Sequence, residues 1–139
     1  MCRLFCSLAI LMALSSSVFS KNIIVIRGIM GNVLSPMNSI TNGLRAHGHH
    51  VTVAEWNLCP SERFDVAVGH SAGGWAALAT RSHKIITIDP NMGVCPEGST
   101  CINYYAAIPV SGATNIRVAC DHVSMPEVVA RRVISEASK

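Results

Sequence analysis

Short apolar runs alternate with segments of helical periodicity along most of the chain. The runs are rich in β-branched residues, and several are apolar throughout, which is typical of strands buried on both faces of a parallel sheet. Six runs are strand candidates, at residues 22–27, 50–56, 64–68, 84–88, 102–107 and 115–119. With helices between several of them, this order predicts an α/β fold, a mostly parallel twisted sheet with helices on both faces.

Three helices are predicted from spacing and from capping residues. Ser35 and Pro36 form a typical cap and first-turn pair, and helical spacing then continues to Gly48. Residues 72–81 are rich in alanine, and Pro126 opens the last helix. Because parallel sheets carry their chemistry at the carboxyl ends of the strands, candidate functional residues are expected in the loops that follow those ends.

The last two strand candidates pose a question of topology. The connection at residues 108–114 is shorter than the dozen or more residues expected of a parallel crossover. We therefore expect 102–107 and 115–119 to form an antiparallel hairpin, with 115–119 parallel to the main sheet and 102–107 against it. The loop at residues 90–101 would then stay at the carboxyl edge of the sheet, the edge formed by the carboxyl ends of its parallel strands.

The amino terminus has the pattern of an export signal. Arg3 precedes an apolar run at residues 4–14, and small residues lead to a cleavage position after Ser20. The alternative is a transmembrane anchor, but the run is shorter than the roughly 20 residues that a spanning helix needs. We predict a signal peptide at residues 1–20, a single domain at 21–139, a secreted or periplasmic location, and no stable membrane anchor after cleavage.

Cysteine and charge patterns narrow the chemistry further. Four cysteines follow the signal, and an even count in an exported chain favours disulfides, with Cys95 and Cys101 the easiest pair to close. Free thiols are the alternative, and the pairing of Cys59 and Cys120 stays open. The C-x-x-C spacing that would favour a metal site is not present, so no metal or cofactor is expected. The net charge is +3 with scattered basic residues, which gives no indication of a nucleic-acid partner.

The segment from Gly69 to Gly74 reads G-H-S-A-G-G, a G-x-S-x-G pattern between a predicted buried strand and a helix. A nucleophile elbow holds its serine in a strained turn, so the positions two before and two after must lack bulk. Gly69 and Gly73 meet that requirement, and Gly74 allows close packing of helix and sheet. The alternative is a glycine-rich structural turn. The pattern predicts Ser71 as a nucleophile.

A serine hydroxyl needs a base to take its proton, and His122 is the best candidate because it follows a strand and precedes a helix. The other histidines lie near the opposite edge, within the elbow, or just before a strand. Asp89 ends a predicted strand and is the expected acid that orients His122. Glu97 is the alternative acid, and Asp121 is adjacent to His122 and would point away from it. Structural alternatives remain: a capping or core role for His122 and a turn cap for Asp89.

An oxyanion hole requires two backbone N–H groups directed at the developing negative charge. The elbow would supply the N–H of Ala72, and the glycine-bordered loop after the first strand would supply that of Ile29 or Met30. A phosphate-binding loop is the alternative for this segment. It is disfavoured because the G-K-[ST] ending is missing.

Five motifs together carry a family likeness. They are R-G-x-x-G-N near the start, G-H-S-A-G-G, I-D-P, N-Y-Y and H-V-S-M-P. In this combination the chain resembles compact bacterial and phage α/β-hydrolases of the lipase, esterase and thioesterase type. The resemblance implies a minimal α/β-hydrolase fold that cleaves esters or thioesters through an acyl-enzyme, with Ser71, Asp89 and His122 as its triad and without a metal. The chain is much shorter than an ordinary member, and no insertion is long enough for a lid.

The sequence therefore predicts a serine hydrolase acting on a small-molecule ester or acyl substrate. An acyltransferase would use the same triad, and a secreted binding protein with a degenerate site is the alternative from a different class. A serine peptidase is disfavoured because no strongly charged candidate for a side-chain pocket is evident.

Overall fold

The computed structural model of the protein describes residues 19–58 and 62–139. Most of the signal-peptide prediction and Cys59 lie outside the described residues. Within them, six strands form one sheet in the order β2-β1-β3-β4-β5-β6, and every neighbouring pair is parallel. The strands are β1 Asn22–Arg27, β2 His50–Glu55, β3 Val66–His70, β4 Lys84–Ile88, β5 Thr100–Tyr105 and β6 Thr114–Arg117. The predicted α/β class is confirmed.

Three α-helices pack with this sheet: α1 Asn38–Ala46, α2 Ala72–Ala79 and α3 Met125–Ser138. Because successive strand residues point to opposite sides, β1 contributes to two separate apolar clusters. Ile23 and Val25 lie in a cluster with residues of α1 and α3, whereas Ile24 and Ile26 lie in a cluster with residues of α2. The central strands are thus buried on both sides, as their continuous apolar runs indicate.

The predicted antiparallel hairpin is wrong. β5 pairs parallel with β4, and β6 pairs parallel with β5. The dozen-residue expectation describes a crossover through a helix, whereas the connections at 89–99 and 106–113 contain none. An extended chain advances about 3.3 Å per residue, so both segments are long enough to return along strands this short. His122 still follows a parallel strand and reaches the carboxyl edge.

These two crossovers support each other. Val94 and Ser111 form a parallel bridge between them, with the Cys95 N–H donating to the Ser111 carbonyl at 2.8 Å. Val110 and Cys95 pack in the same apolar cluster as α2, so the paired crossovers occupy sheet surface that a helix would otherwise cover. Asn115 fixes the second crossover, because its side chain bonds both the N–H and the carbonyl of Val110.

The predicted disulfide between Cys95 and Cys101 is present. The expectation that the loop at residues 90–101 stays at the carboxyl edge is wrong, because Cys101 lies in β5 opposite Ile85, near the amino end of the strand. The bond therefore ties the first crossover to the start of β5. Cys120 forms no disulfide among the described residues.

Several element boundaries differ from the predictions by a few residues, and two of these differences bear on the site. Helix α1 begins at Asn38 with Met37 as its cap, so Ser35 is not a helix cap but a buried residue in the preceding loop. Strand β3 continues through Gly69 to His70, where pairing with β4 persists although glycine disfavours strands. The strand therefore delivers the chain directly to Ser71. Within the described ranges, no helix combines the length and apolar character needed to span a bilayer.

Candidate active site at the carboxyl edge

Ser71 occupies a strained turn between β3 and α2. Its backbone lies at φ 57° and ψ −128°, which residues with a side chain adopt only at a cost of order 1–3 kcal/mol. The Ser71 N–H donates to the Ile88 carbonyl at 2.9 Å, which fixes the turn against the end of β4. Ser71 is half-buried, and its side chain makes no helix-capping hydrogen bond, so the hydroxyl does not stabilise the start of α2.

The glycines around Ser71 are required by close backbone approaches. A methyl group on Gly69 would lie 2.1 Å from the Gly73 carbonyl oxygen, and one on Gly73 would lie 2.2 Å from the Ile26 oxygen. Both contacts are with backbone atoms, which cannot swing aside. Gly74 has a similar role, because an added methyl would meet the ring of Pro90 at 2.8 Å. The G-x-S-x-G-G pattern is therefore explained by packing of β3, α2 and β1.

Asp89 follows β4 and is 3% exposed. Its backbone has a positive φ of 46°, which turns the chain sharply at the end of the strand. One carboxylate oxygen accepts the Ala106 N–H at 3.0 Å, and the other lies 2.6 Å from His122 Nδ1. An ionised carboxylate accepts both bonds, so the Asp89 side chain is fully oriented by the loops after β5 and β6.

His122 is held with its Nδ1 toward Asp89. Since a carboxylate only accepts hydrogen bonds, the proton of the neutral imidazole sits on Nδ1 and the lone pair on Nε2. Among the described residues no hydrogen bond joins Ser71 Oγ to His122. Such bonds are often long in unliganded sites and tighten with substrate bound. His122 nevertheless lies at the elbow, because its ring centroid is 4.6 Å from that of His70.

The predicted oxyanion donors lie on the two segments that flank Ser71. Ala72 is the first residue of α2, where backbone N–H groups lack an intrahelical acceptor. Gly28 packs directly on the elbow, since a methyl group there would lie 2.9 Å from Ser71 Cβ. In the described part of the chain, the N–H groups of Ala72, Ile29 and Met30 donate to no backbone carbonyl outside regular structure.

A salt bridge supports this first loop from the side. Arg27 and Glu55 end the neighbouring strands β1 and β2, and their side chains pair there. Gly31 lies over the pair, with Glu55 Oε2 3.5 Å from where its Cβ would be. Arg27 pairs with Glu55 in the register of β1 and β2, so both residues lie at the carboxyl edge of the sheet. The sequence alone does not predict this pair, because it does not give the strand register.

Sequence reasoning missed two buried residues that connect the site. The sequence pattern places His70 only within the elbow and predicts Ser35 only as a helix cap. Ser35 Oγ accepts the Gly28 N–H at 2.9 Å and lies 2.8 Å from His70 Nδ1. His70 Nε2 lies 2.8 Å from the carbonyl oxygen of His122. Burial, followed by the nearby His122 charge, lowers the pKa of His70 to about 4.

The remaining histidines lie away from this site. His49 bonds the Lys21 N–H and Ser138 at the amino edge of the sheet, where burial and then the Lys21 charge lower its pKa. His47 Nδ1 lies 2.8 Å from the Gly43 carbonyl at the end of α1. Across the ranges that the structure describes, no cluster of His, Cys, Asp or Glu could hold a metal ion.

Several exposed apolar side chains lie in the segments that follow the carboxyl ends of the strands. We call these residues the apolar rim: Ile29, Met30, Val33, Leu34, Trp56, Trp75, Met92 and Val123. Trp75 lies in the first turn of α2 and donates its indole N–H to the Pro90 carbonyl at 2.6 Å.

Comparison of the chain with protein-family models, with curated proteins and with solved structures gave no match. The function is therefore inferred from the geometry of the chain's own residues.

Proposed function

We propose that the protein is a serine hydrolase that cleaves carboxylic esters or thioesters, built as a minimal α/β-hydrolase. The observation that carries the proposal is the 2.6 Å contact between buried Asp89 and His122 Nδ1, formed beside a serine at φ 57°. A base oriented by a carboxylate next to a strained, uncapped serine is the arrangement that nucleophilic catalysis needs.

In the first step, Ser71 Oγ attacks the carbonyl carbon of the substrate while His122 Nε2 takes the hydroxyl proton. Asp89 remains ionised and stabilises the imidazolium through the hydrogen bond to Nδ1. The substrate carbonyl oxygen becomes an oxyanion, for which Ala72 and the loop of Ile29 and Met30 offer backbone N–H groups.

Collapse of this tetrahedral intermediate breaks the bond to the leaving alcohol or thiol, which receives the proton from His122. The acyl group stays on Ser71 as an ester. Water then attacks that ester with His122 again as base, and the carboxylic acid leaves with Ser71 restored. An acyltransferase would differ only in the last step, where an alcohol or amine replaces water.

The surroundings favour an apolar acyl group. Met30 is 64% exposed and Trp75 46% exposed on the two segments beside Ser71. A charged acyl group would find few partners there, whereas an alkyl chain would cover these side chains. The crossovers are short and carry no helix that would cover Ser71, which supports an open site.

Export is part of the proposal. A disulfide persists in oxidising compartments and is rare in the reducing cytosol, so the Cys95–Cys101 bond supports a secreted or periplasmic location. The signal peptide at residues 1–20 remains a prediction from the sequence.

Hydrolysis of p-nitrophenyl esters from acetate to octanoate tests the function. Ser71→Ala should reduce turnover by several orders of magnitude while the protein stays folded. The matched control is Ser111→Ala, because Ser111 is exposed and only its backbone bonds the first crossover. A folded Ser71→Ala protein keeping more than about a tenth of the wild-type rate would refute the nucleophile assignment. Wild-type protein inactive on the whole series would favour a degenerate binding protein.

A further inference from the structure

We propose that His70 is a positioning residue that holds the backbone of His122 against the nucleophile elbow. The inference rests on the proposed function, since it assigns a role within the same site. Asp89 holds only the imidazole of His122. The backbone of that residue lies in a loop between β6 and α3, and His70 provides a second attachment from within the elbow.

The direction of each hydrogen bond follows from its end groups. The Gly28 N–H only donates, and the His122 carbonyl only accepts. His70 must therefore donate from Nε2 to the His122 oxygen, which leaves Nδ1 of the neutral ring as an acceptor. Ser35 accepts from Gly28 and donates its own proton to His70 Nδ1. The four groups form one continuous chain in which every polar atom has a compatible partner.

This chain joins three separate segments of the site. Gly28 begins the loop with the candidate oxyanion donors, His70 precedes the nucleophile, and His122 carries the base. His70 is 0% exposed, so water does not compete for either of its ring nitrogens. A displacement of about 1 Å in a catalytic group costs on the order of 100-fold in rate, which gives this attachment a measurable consequence.

A neutral ring suits this position. During turnover His122 becomes an imidazolium whose ring centroid lies 4.6 Å from that of His70. A second positive charge there would oppose proton transfer from Ser71. Burial keeps the pKa of His70 low, at about 4, so the ring remains uncharged near neutral pH and keeps the proton arrangement described above.

Two amide substitutions separate the bonds of His70. Glutamine carries an N–H group as many bonds from the backbone as Nε2, so His70→Gln keeps the donor to the His122 carbonyl. Asparagine places its oxygen near the position of Nδ1, so His70→Asn keeps the acceptor for Ser35 and loses the bond to His122. The two variants match in polarity, differ by one methylene and report on different ends of the ring.

The test compares kcat and KM of these variants on one p-nitrophenyl ester, per active site titrated with a fluorophosphonate. We expect His70→Asn to lose on the order of 10- to 100-fold in kcat with KM little changed, and His70→Gln to recover most of the rate. A merely structural role would lower thermal stability in both variants without separating their kcat values. Equal kcat values in the two folded variants would overturn the positioning role.

A spectroscopic readout does not depend on activity. Long-range ¹H–¹⁵N spectra of the wild-type protein should show, besides His49, whose Nδ1 accepts the Lys21 N–H, a second histidine fixed as the neutral Nε2–H tautomer near neutral pH. His70→Gln should remove this second signal. A His70 ring that titrates near its ordinary pKa of 6.5, or protonated on Nδ1, would contradict the hydrogen-bond chain. Absence of activity with this signal present would refute the proposed function alone.

Discussion

Replacing Asp89 by asparagine tests the orientation of the base with little change in volume. The structure determines how the amide would lie. The Ala106 N–H donates to one side-chain oxygen of Asp89 at 3.0 Å, so the amide oxygen of asparagine must take that place. The NH₂ group then faces His122 Nδ1 and can only donate to it. The imidazole must therefore carry its proton on Nε2, where it cannot accept one from Ser71.

The expected loss follows from that tautomer. A triad with its aspartate replaced by asparagine loses roughly 10⁴-fold in turnover, or about 5 kcal/mol of transition-state stabilisation. Because the bond to Ala106 is kept, we expect the folded structure to persist. Asp89→Ala would lose both bonds and leave the Ala106 N–H without its acceptor, so it should destabilise the fold as well.

The assay is kcat/KM on a p-nitrophenyl ester, together with thermal unfolding of the same samples. Asp121→Asn is the matched control, since Asp121 precedes His122 directly and its side-chain oxygen accepts the Ser124 N–H at 2.9 Å. The control should keep wild-type kinetics. If Asp89→Asn is folded and within tenfold of the wild-type rate, Asp89 does not orient the base.

Three further predictions concern stability. Gly69→Ala should destabilise the fold by about 3 kcal/mol or more, because its methyl group would lie 2.1 Å from a backbone oxygen. Gly98→Ala should cost about 1–2 kcal/mol, because that position has open space but a φ of 81°. Urea unfolding of the two variants compares these costs. The free energy of unfolding should fall as the pH falls from 6.5 toward 4, because the unfolded chain protonates His70 at a higher pH than the folded protein does. His70→Gln should remove up to about 3 kcal/mol of that loss. Equal pH profiles of unfolding for the two proteins would refute the buried neutral ring. Replacing Cys95 and Cys101 by serine should lower the free energy of unfolding by roughly 2 kcal/mol and leave kcat unchanged. Loss of kcat in the folded variant would contradict the position of the disulfide near the amino ends of the strands.

Local patterns were sufficient to predict the α/β class, and they also predict a triad, which stays a prediction. Continuous β-branched runs indicate buried parallel strands, and the glycines that a nucleophile elbow requires predict Ser71 as the nucleophile. Asp89 and His122 were predicted from their positions after strands. Their mutual contact is a tertiary feature that spacing along the chain suggests only through the rule for parallel sheets.

The errors arose where nonlocal packing overrides a local rule. The crossovers at 89–99 and 106–113 lack helices, and a length rule based on helical crossovers excluded the observed parallel order. Ser35 precedes a proline before a helix and so resembles a cap, yet its hydroxyl bonds Gly28 and His70 in space. His70 offered no separate signal, because a histidine within G-x-S-x-G fills the variable position.

Covalent labelling of Ser71 tests the central claim most directly. Wild-type protein treated with a fluorophosphonate and mapped by peptide mass spectrometry should carry one adduct, on Ser71. His122→Ala should slow this labelling by orders of magnitude, because the hydroxyl then lacks its base. An adduct on another residue, or an equal labelling rate in folded His122→Ala protein, would contradict the account.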